Sequence, residues 1–302
     1  MPRVLFIFLD GVGIGKNDAS INPFFATDMP SLRRLLNGNM MHLRHKRMTS
    51  QYMSVVPLNA TLGVSGLPQS GTGQTALLTG VNAPRFIGKH FGPYPYSTLK
   101  PILKEKNIFL HLSQIGKKVH YANAFPPKYF EYINSPKNRM TAITMSWQVS
   151  GFKLNESDSI NAGGGLSSDI TNERWNALGF PHVRQITPHE AGKRLYRMTS
   201  QYDFVFYEYY ATDQAGHSQS MTHAEDVLTK LDGLLEGILH EFDYENTLLM
   251  MTSDHGNLED LSTKTHTRNP VPLLCVGKGH SVITSKAKNL AHVAPAIISL
   301  LS

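Results

Sequence analysis

Val4-Leu-Phe-Ile-Phe-Leu-Asp10-Gly11 places six consecutive apolar residues, β-branched and aromatic among them, directly before a carboxylate and a glycine. Such a run reads as a buried strand that delivers Asp10 into a loop. The construction recurs twice. Asp203–Tyr210 reads as a strand and leads to Asp213-Gln-Ala-Gly-His217. Thr247–Thr252 reads as a strand and leads to Ser253-Asp254-His255-Gly256. Helical patterns lie between these runs. Thr222–Phe242 is the clearest, with Val227, Leu231, Leu234, Leu235, Ile238 and Phe242 at helical spacing and Thr222 and Glu225 at capping-box spacing. Pro30–Leu36, the segment after Gly73, Ile102–Ile115, His189–Thr199 and Asn289–Leu301 also read as helices, and Lys117–Phe125 and Val271–Val276 as strands. The alternation predicts an α/β fold with a mostly parallel central sheet and helices on both faces. In such sheets the active site gathers beyond the carboxyl ends of the strands, where Asp10, Asp213 and Asp254 all fall.

The chain has 302 residues, 41% hydrophobic and 17% charged, which suits one large domain spanning 1–302. Residues 126–188 lack a clear period and are rich in Asn, Ser, Gly and Pro, so a small lid or irregular insertion is expected there, with Gly163–Gly165 as a hinge or a plain loop. The formal charge of +6 is scattered apart from Arg44-His45-Lys46-Arg47, and no nucleic-acid motif accompanies it, so no nucleic-acid partner is expected. A single cysteine, Cys275, points to a reducing compartment. The first apolar run is too short for a secretory core, and no stretch approaches the roughly 20 residues that span a bilayer, so a cytoplasmic protein without a membrane partner is expected. The oligomeric state is not legible.

Five constellations carry chemistry. Asp213 and His217, four residues apart with a glycine between them, suit one cation. Asp254 and His255 are adjacent, and neighbours on an extended strand face opposite ways, so a bend is needed for both to serve one site. His266 opens His-Thr-Arg-Asn-Pro-Val-Pro272, a fixed loop at a strand entrance. Gly11, Gly13 and Gly15 lack the dinucleotide spacing, which leaves Asp10 better read as a metal ligand. Gly66-Leu-Pro-Gln-Ser70-Gly-Thr72-Gly-Gln-Thr75 has no P-loop lysine; what remains is a hydroxyl near a helix N-terminus, a place that favours anions. A serine there needs activation to attack phosphorus, and metal coordination supplies it.

Together these pieces, in this order, resemble the alkaline phosphatase superfamily of metalloenzymes, and within it the branch of cofactor-independent phosphoglycerate mutase and phosphopentomutase. The resemblance rests on Leu9-Asp10-Gly11, Gly66-Leu-Pro, Ser70 with Gly73, Asp213-x-x-Gly-His217, Ser253-Asp254-His255-Gly-Asn257 with Glu259, and His266-Thr-x-Asn-Pro-Val-Pro272. It implies an alkaline-phosphatase-like three-layer sandwich. It implies one metal held by Asp10, Ser70, Asp254 and His255 and another by Asp213, His217 and His266. Manganese or zinc suits these mixed sets, and magnesium remains compatible. Ser70 is the implied nucleophile, forming a phosphoserine, with Thr72 as the alternative because the segment is rearranged. Three aspartates against two divalent cations leave the site at about +1, able to stabilise an alkoxide or a phosphate oxygen.

The resemblance has limits. Only about 140 residues separate Ser70 from Asp213, too few for the large second domain that the mutases insert there, and Gln74 replaces the family's His. A mutase must shelter its phosphorylated enzyme from water. Hydrolysis of a phosphate ester of a small metabolite is therefore the expected activity, with a small-lid phosphomutase or a phosphodiesterase as alternatives. The Cys-x-Pro-x-Arg segment of sulfatases is absent. Arg85, Lys89 and His90 follow the nucleophile segment and are candidates for binding substrate.

Overall fold

The computed structural model describes residues 1–136 and 138–302. Its centre is a seven-stranded sheet of β1 (Arg3–Leu9), β2 (Met48–Thr49), β3 (Met53–Leu58), β4 (Val119–Tyr121), β5 (Phe204–Tyr209), β6 (Thr247–Thr252) and β7 (Val271–Gly277), in the order β2-β3-β7-β6-β1-β5-β4. β6, β1, β5 and β4 run parallel, while β7 is antiparallel to both β6 and β3. β1 lies between β5 and β6, pairing Leu9 with Tyr209 and Phe8 with Thr252. That register brings the three strand ends that carry Asp10, Asp213 and Asp254 to one edge.

The pleat explains the unbroken apolar runs. Val4, Phe6 and Phe8 enter one core and Leu5, Ile7 and Leu9 the other, so neither face of β1 can be polar. Phe6 packs edge-on against Phe206, centroids 5.2 Å apart, and each such ring contributes about 1.5–3 kcal/mol by leaving water. The first core is covered by the Ser70–Thr79, Lys100–Lys106, Ile108–Gln114, Ala142–Val149 and Val293–Leu301 helices. The second is covered by the Pro30–Leu35, Pro188–Met198 and Met221–Leu239 helices. The three layers are those expected.

Several boundaries differ from the sequence reading, each for a local reason. The helix expected over Ile102–Ile115 is two helices broken at Asn107, whose extended backbone (φ −72°, ψ 151°) turns the chain and whose Oδ1 caps Leu110 N at 3.0 Å. The Met221–Leu239 helix is capped by Ser220 rather than Thr222; Ser220 Oγ accepts from His223 N at 3.3 Å. The helix expected after Gly73 already begins at Ser70, and Gly80 in the left-handed region (φ 73°) ends it. Of Lys117–Phe125, only Val119–Tyr121 pairs regularly; Asn123 and Ala124 then bridge to Leu166 and Asn155.

The described residues of 126–188 include the short helices Pro127–Ile133, Ala142–Val149, Ser157–Asn161 and Glu173–Ala177. Ala142–Val149 shows no period because Ala142 through Trp147 are all buried. Ile143 and Trp147 belong to the first core, whereas Ile160, Trp175 and Val183 close a small cluster of their own with Ala124. Among the described residues, no helix is long and apolar enough to cross a membrane.

Candidate metal centre

Beyond Thr252 the chain leaves the extended conformation, and the required bend appears. Ser253 Oγ accepts from Val12 N at 2.8 Å and donates to His255 O at 3.0 Å, tying the bend to the loop after β1. Asp254 and His255 both turn into one buried site with Asp10. His255 Nε2 lies 3.4 Å from Asp10 Oδ1, 3.6 Å from Asp254 Oδ2 and 3.0 Å from Ser70 Oγ.

Asp213 and His217 sit one turn apart on the Ala211–Ser218 helix, so the helix rather than a curled loop aims them together. His217 Nε2 is 3.3 Å from Asp213 Oδ2; His266 Nε2 is 3.3 Å from His217 Nε2 and 3.8 Å from Asp213 Oδ1. His266 also stacks on His255, centroids 3.7 Å apart and planes 15° apart, which places the two groups side by side.

The histidines are oriented from behind. His266 Nδ1 faces Pro68 O at 2.8 Å, His217 Nδ1 faces Lys264 O at 2.9 Å, and His255 Nδ1 faces Gly256 O at 3.4 Å. A carbonyl only accepts, so each Nδ1 carries the proton and each Nε2 turns its lone pair inward. Burial holds His255 below its usual range, and burial with the neighbouring His255 does the same to His266. Burial, then Asp254 and Asp213, push Asp10 well up, and burial with Asp213 raises Asp254 to about 7. Crowded carboxylates beside neutral imidazoles are an environment that lacks positive charge.

Divalent cations fit that lack. Asp10 Oδ1 and Asp254 Oδ2 are buried without a hydrogen-bond partner. An orphaned carboxylate oxygen is costly unless a cation completes it. Within each group of three, one ligand atom per residue lies within 4.8 Å of the others, and imidazole nitrogen with carboxylate oxygen suits zinc or manganese.

Two further residues lie behind these groups. Glu259 accepts from Gly13 N at 2.9 Å, Asn257 N at 2.8 Å, Asn269 Nδ2 at 3.0 Å and Thr267 Oγ1, joining the loops after β1, after β6 and before β7. Asn257 Nδ2 donates to Asp213 Oδ1 at 2.7 Å. Gly216 permits this approach: a Cβ there would meet the Asn257 side chain at 2.6 Å. The glycine inside the Asp-x-x-Gly-His motif is thus a space requirement.

Ser70 is the first residue of its helix, with its hydroxyl in the site. Thr72 is fully buried; its Oγ1 donates to Gln69 O at 3.1 Å and accepts from Phe91 N at 3.3 Å, away from the ligands. Gly73 lies against Asp254, where a Cβ would come 2.8 Å from Asp254 O. His90 Nε2 lies 3.3 Å from Val64 O, and Lys89 Nζ sits 5.2 Å from the centre of the Tyr96 ring. Arg85 lies on the short Ala83–Ile87 helix with its side chain exposed. Among the described residues, no hydrogen bond or ion pair joins these three to the groups of Asp10 and Asp213. Glu208 was missed in the sequence, although a lone acid inside Phe-Val-Phe-Tyr-Glu-Tyr-Tyr is a visible anomaly. It is buried on β5, accepts from Tyr121 OH at 2.6 Å, and is raised to about 7 by burial.

The family model of the Metalloenzyme superfamily matches residues 2–302, and the chain belongs to that superfamily. A 2,3-bisphosphoglycerate-independent phosphoglycerate mutase of Legionella pneumophila (strain Lens) is 24% identical over 236 residues, covering 72% of this chain and 44% of its own. One from Pyrococcus abyssi is 32% identical over 87 residues, 29% of this chain and 21% of its own. The chain thus spans less than half the length of these relatives. In structure it is similar to a protein from Pyrococcus horikoshii (TM-score 0.59, 14% identity, covering 99% of this chain and 96% of that one). It is also similar to an alkaline phosphatase from the Antarctic bacterium TAB5 (TM-score 0.53, 11% identity, 99% and 98%). These likenesses show an alkaline-phosphatase-like fold.

Proposed function

We propose that this member of the superfamily hydrolyses a phosphate ester of a small metabolite through a phosphoserine at Ser70, with two divalent cations, manganese or zinc, in the two ligand groups. The observation that carries the reading is the position of Ser70 Oγ, 3.0 Å from His255 Nε2, at the start of a helix whose Gly73 lies against Asp254. When bound, two cations supply positive charge that lowers the cost of an alkoxide and of a phosphoryl group in transfer.

The chain's own residues do the rest. Ser70 Oγ forms the new bond to phosphorus while the ester oxygen leaves with the bonding pair. Water then displaces Ser70 and releases inorganic phosphate. The N-terminus of the Ser70 helix directs backbone dipoles at the transferred anion. Asp10, Asp254 and His255 fix the nucleophile's side of the site; Asp213, His217 and His266 fix the other, each imidazole locked by its carbonyl partner. Residues 126–188 are the proposed cover, anchored where Ser168 Oγ donates to Tyr210 OH at 2.9 Å, three residues before Asp213.

Mutase activity is the second reading, favoured by the names of the relatives. Hydrolysis is preferred because the interval from Ser70 to Asp213 leaves little protein to hold water off a phosphorylated serine. The test is acid quenching of metal-loaded protein during turnover, followed by mapping of the covalent phosphate. A label on the Ser70 peptide that disappears together with turnover in Ser70→Ala supports the reading. Full turnover in Ser70→Ala moves the nucleophile to Thr72 or to water.

A further inference from the structure

Thr267 is pinned inward on the approach to β7. Its N–H donates to Gly256 O at 2.9 Å, and its hydroxyl donates to Glu259. In an extended chain the residues on either side of it face the opposite way. His266 and Arg268 do so together: His266 Nδ1 faces Pro68 O at 2.8 Å, and Arg268 Nε donates to Gly66 O at 3.1 Å. Two side chains on one face thus clasp alternate carbonyls of the loop that ends at Ser70. The pairing fixes their order. His266 meets the carbonyl nearer Ser70, and Arg268 follows outward, roughly 7 Å further along the chain. Gly66 stands at φ 107°, a backbone that a residue with a side chain rarely takes, so the carbonyl that orients Arg268 depends on glycine.

Arg268 brings an uncommitted charge to this rim. The residue is exposed, and beyond the Nε bond its guanidinium makes no hydrogen bond among the described residues. No carboxylate among them lies within ion-pair distance of it. Its neighbour His90 is taken up by Val64 O at 3.3 Å and by the Thr61 backbone. Burial first, and the Arg268 charge after it, hold that imidazole below its usual range, so Arg268 is the cation of the pair. Within His266-Thr-x-Asn-Pro-Val-Pro272, Arg268 fills the position that the motif leaves open.

The site opens on the same side. The His217 side chain is 43% exposed, whereas those of Asp254 and His255 are 0% exposed. Ser70 Oγ touches His255, in the closed group. An in-line displacement puts the leaving oxygen away from Ser70, toward the open group of Asp213, His217 and His266. The alcohol portion of an ester therefore leaves the site past His266, along the edge where Arg268 stands.

We propose that Arg268 is a specificity-determining residue whose free guanidinium edge binds a second anionic group at the far end of the ester's alcohol portion. The inference rests on the phosphoryl-transfer reading of Ser70. The two η nitrogens form a planar fork that suits a carboxylate or a phosphate.

The test uses butyl phosphate, 3-carboxypropyl phosphate and butane-1,4-diyl bisphosphate, which share a four-carbon chain and end in a methyl, a carboxylate or a second phosphate. They are compared on the metal-loaded full chain and on Arg268→Gln, which keeps a donor for Gly66 O and removes the charge. The unaltered protein should prefer at least one of the anionic esters over butyl phosphate by about fivefold in kcat/KM, mostly through KM, as an exposed ion pair gives. The better of the two names the group. The preference should shrink as ionic strength rises, and Arg268→Gln should bring it to near parity, apart from a factor of about two for the two identical ends of the bisphosphate. Equal use of all three esters by the unaltered protein, or an equal loss on all three in Arg268→Gln, makes Arg268 a clasp for Gly66 alone and overturns the inference, with the phosphatase reading intact. If no ester is turned over, the phosphatase reading fails by itself, and calorimetric titration of the same protein decides Arg268. Tighter binding of an anionic ester than of butyl phosphate that Arg268→Gln removes supports the inference; equal binding overturns it.

Discussion

Glu259→Gln changes one oxygen to an amide nitrogen and leaves the shape of the side chain intact. In the folded protein Oε2 accepts from Gly13 N and Asn257 N, and Oε1 accepts from Asn269 Nδ2 and Thr267 Oγ1. Whichever way the glutamine is turned, its NH2 replaces an acceptor that served two donors. With the NH2 in place of Oε1 the Thr267 hydroxyl can accept from it and only the Asn269 bond is lost, so at about 1.5–3 kcal/mol for a hydrogen bond to a charged group the expected loss is about 1.5–3 kcal/mol. That is a substantial part of the roughly 5–15 kcal/mol that holds an ordinary domain together. The assay is urea unfolding in the presence of a chelator, so that no part of the loss passes through metal affinity, with Glu245→Gln on the surface as a control expected within about 0.5 kcal/mol. A midpoint that falls with the slope unchanged is the predicted outcome. A loss below about 1 kcal/mol would refute the claim that Glu259 holds the three loops together.

Gly73→Ala brings a methyl within 2.8 Å of Asp254 O and 2.9 Å of Asp254 Cβ; a loss of about 1–3 kcal/mol in thermal melts, with weaker metal binding, is expected, and unchanged values of both would contradict the contact. Glu208 is raised from 4.5 to about 7, so its contribution to stability is complete below the unfolded value and is lost as pH rises through about 7. In metal-free protein, Glu208→Gln should match the parent near pH 4 and exceed it by up to about 3 kcal/mol at pH 8; a pH-independent difference would show that Glu208 is not buried as an acid. His266→Ala should weaken one of two metal sites in a chelator competition, and two sites of unaltered affinity would remove His266 from the ligands.

The residues that meet at the site were legible because strand ends carry them. Asp10, Asp213 and Asp254 each follow a continuous apolar run, and a parallel arrangement leaves such runs one common edge. Less visible was anything whose signal is the absence of polarity or of period. Ala142–Val149 is buried nearly all round and therefore shows no amphipathic stripe. Asn107 breaks a helix whose apolar spacing continues across it, because a capping side chain leaves no mark on periodicity. At Thr222 and Glu225 the spacing of a capping box was present, yet Ser220 two residues earlier took the role, and both residues lie inside the helix. Glu259 stood within a matched motif, but its four bonds depend on loops that are distant in sequence.

If the paired ligand groups and Ser70 form a metal-dependent phosphatase centre, phosphate release from p-nitrophenyl phosphate by metal-stripped protein must respond to added manganese or zinc. No release is expected without metal, release should saturate at two metals per chain, and Ser70→Ala should give none at the same metal loading. Release that proceeds equally in chelator, or that survives intact in Ser70→Ala, would contradict it.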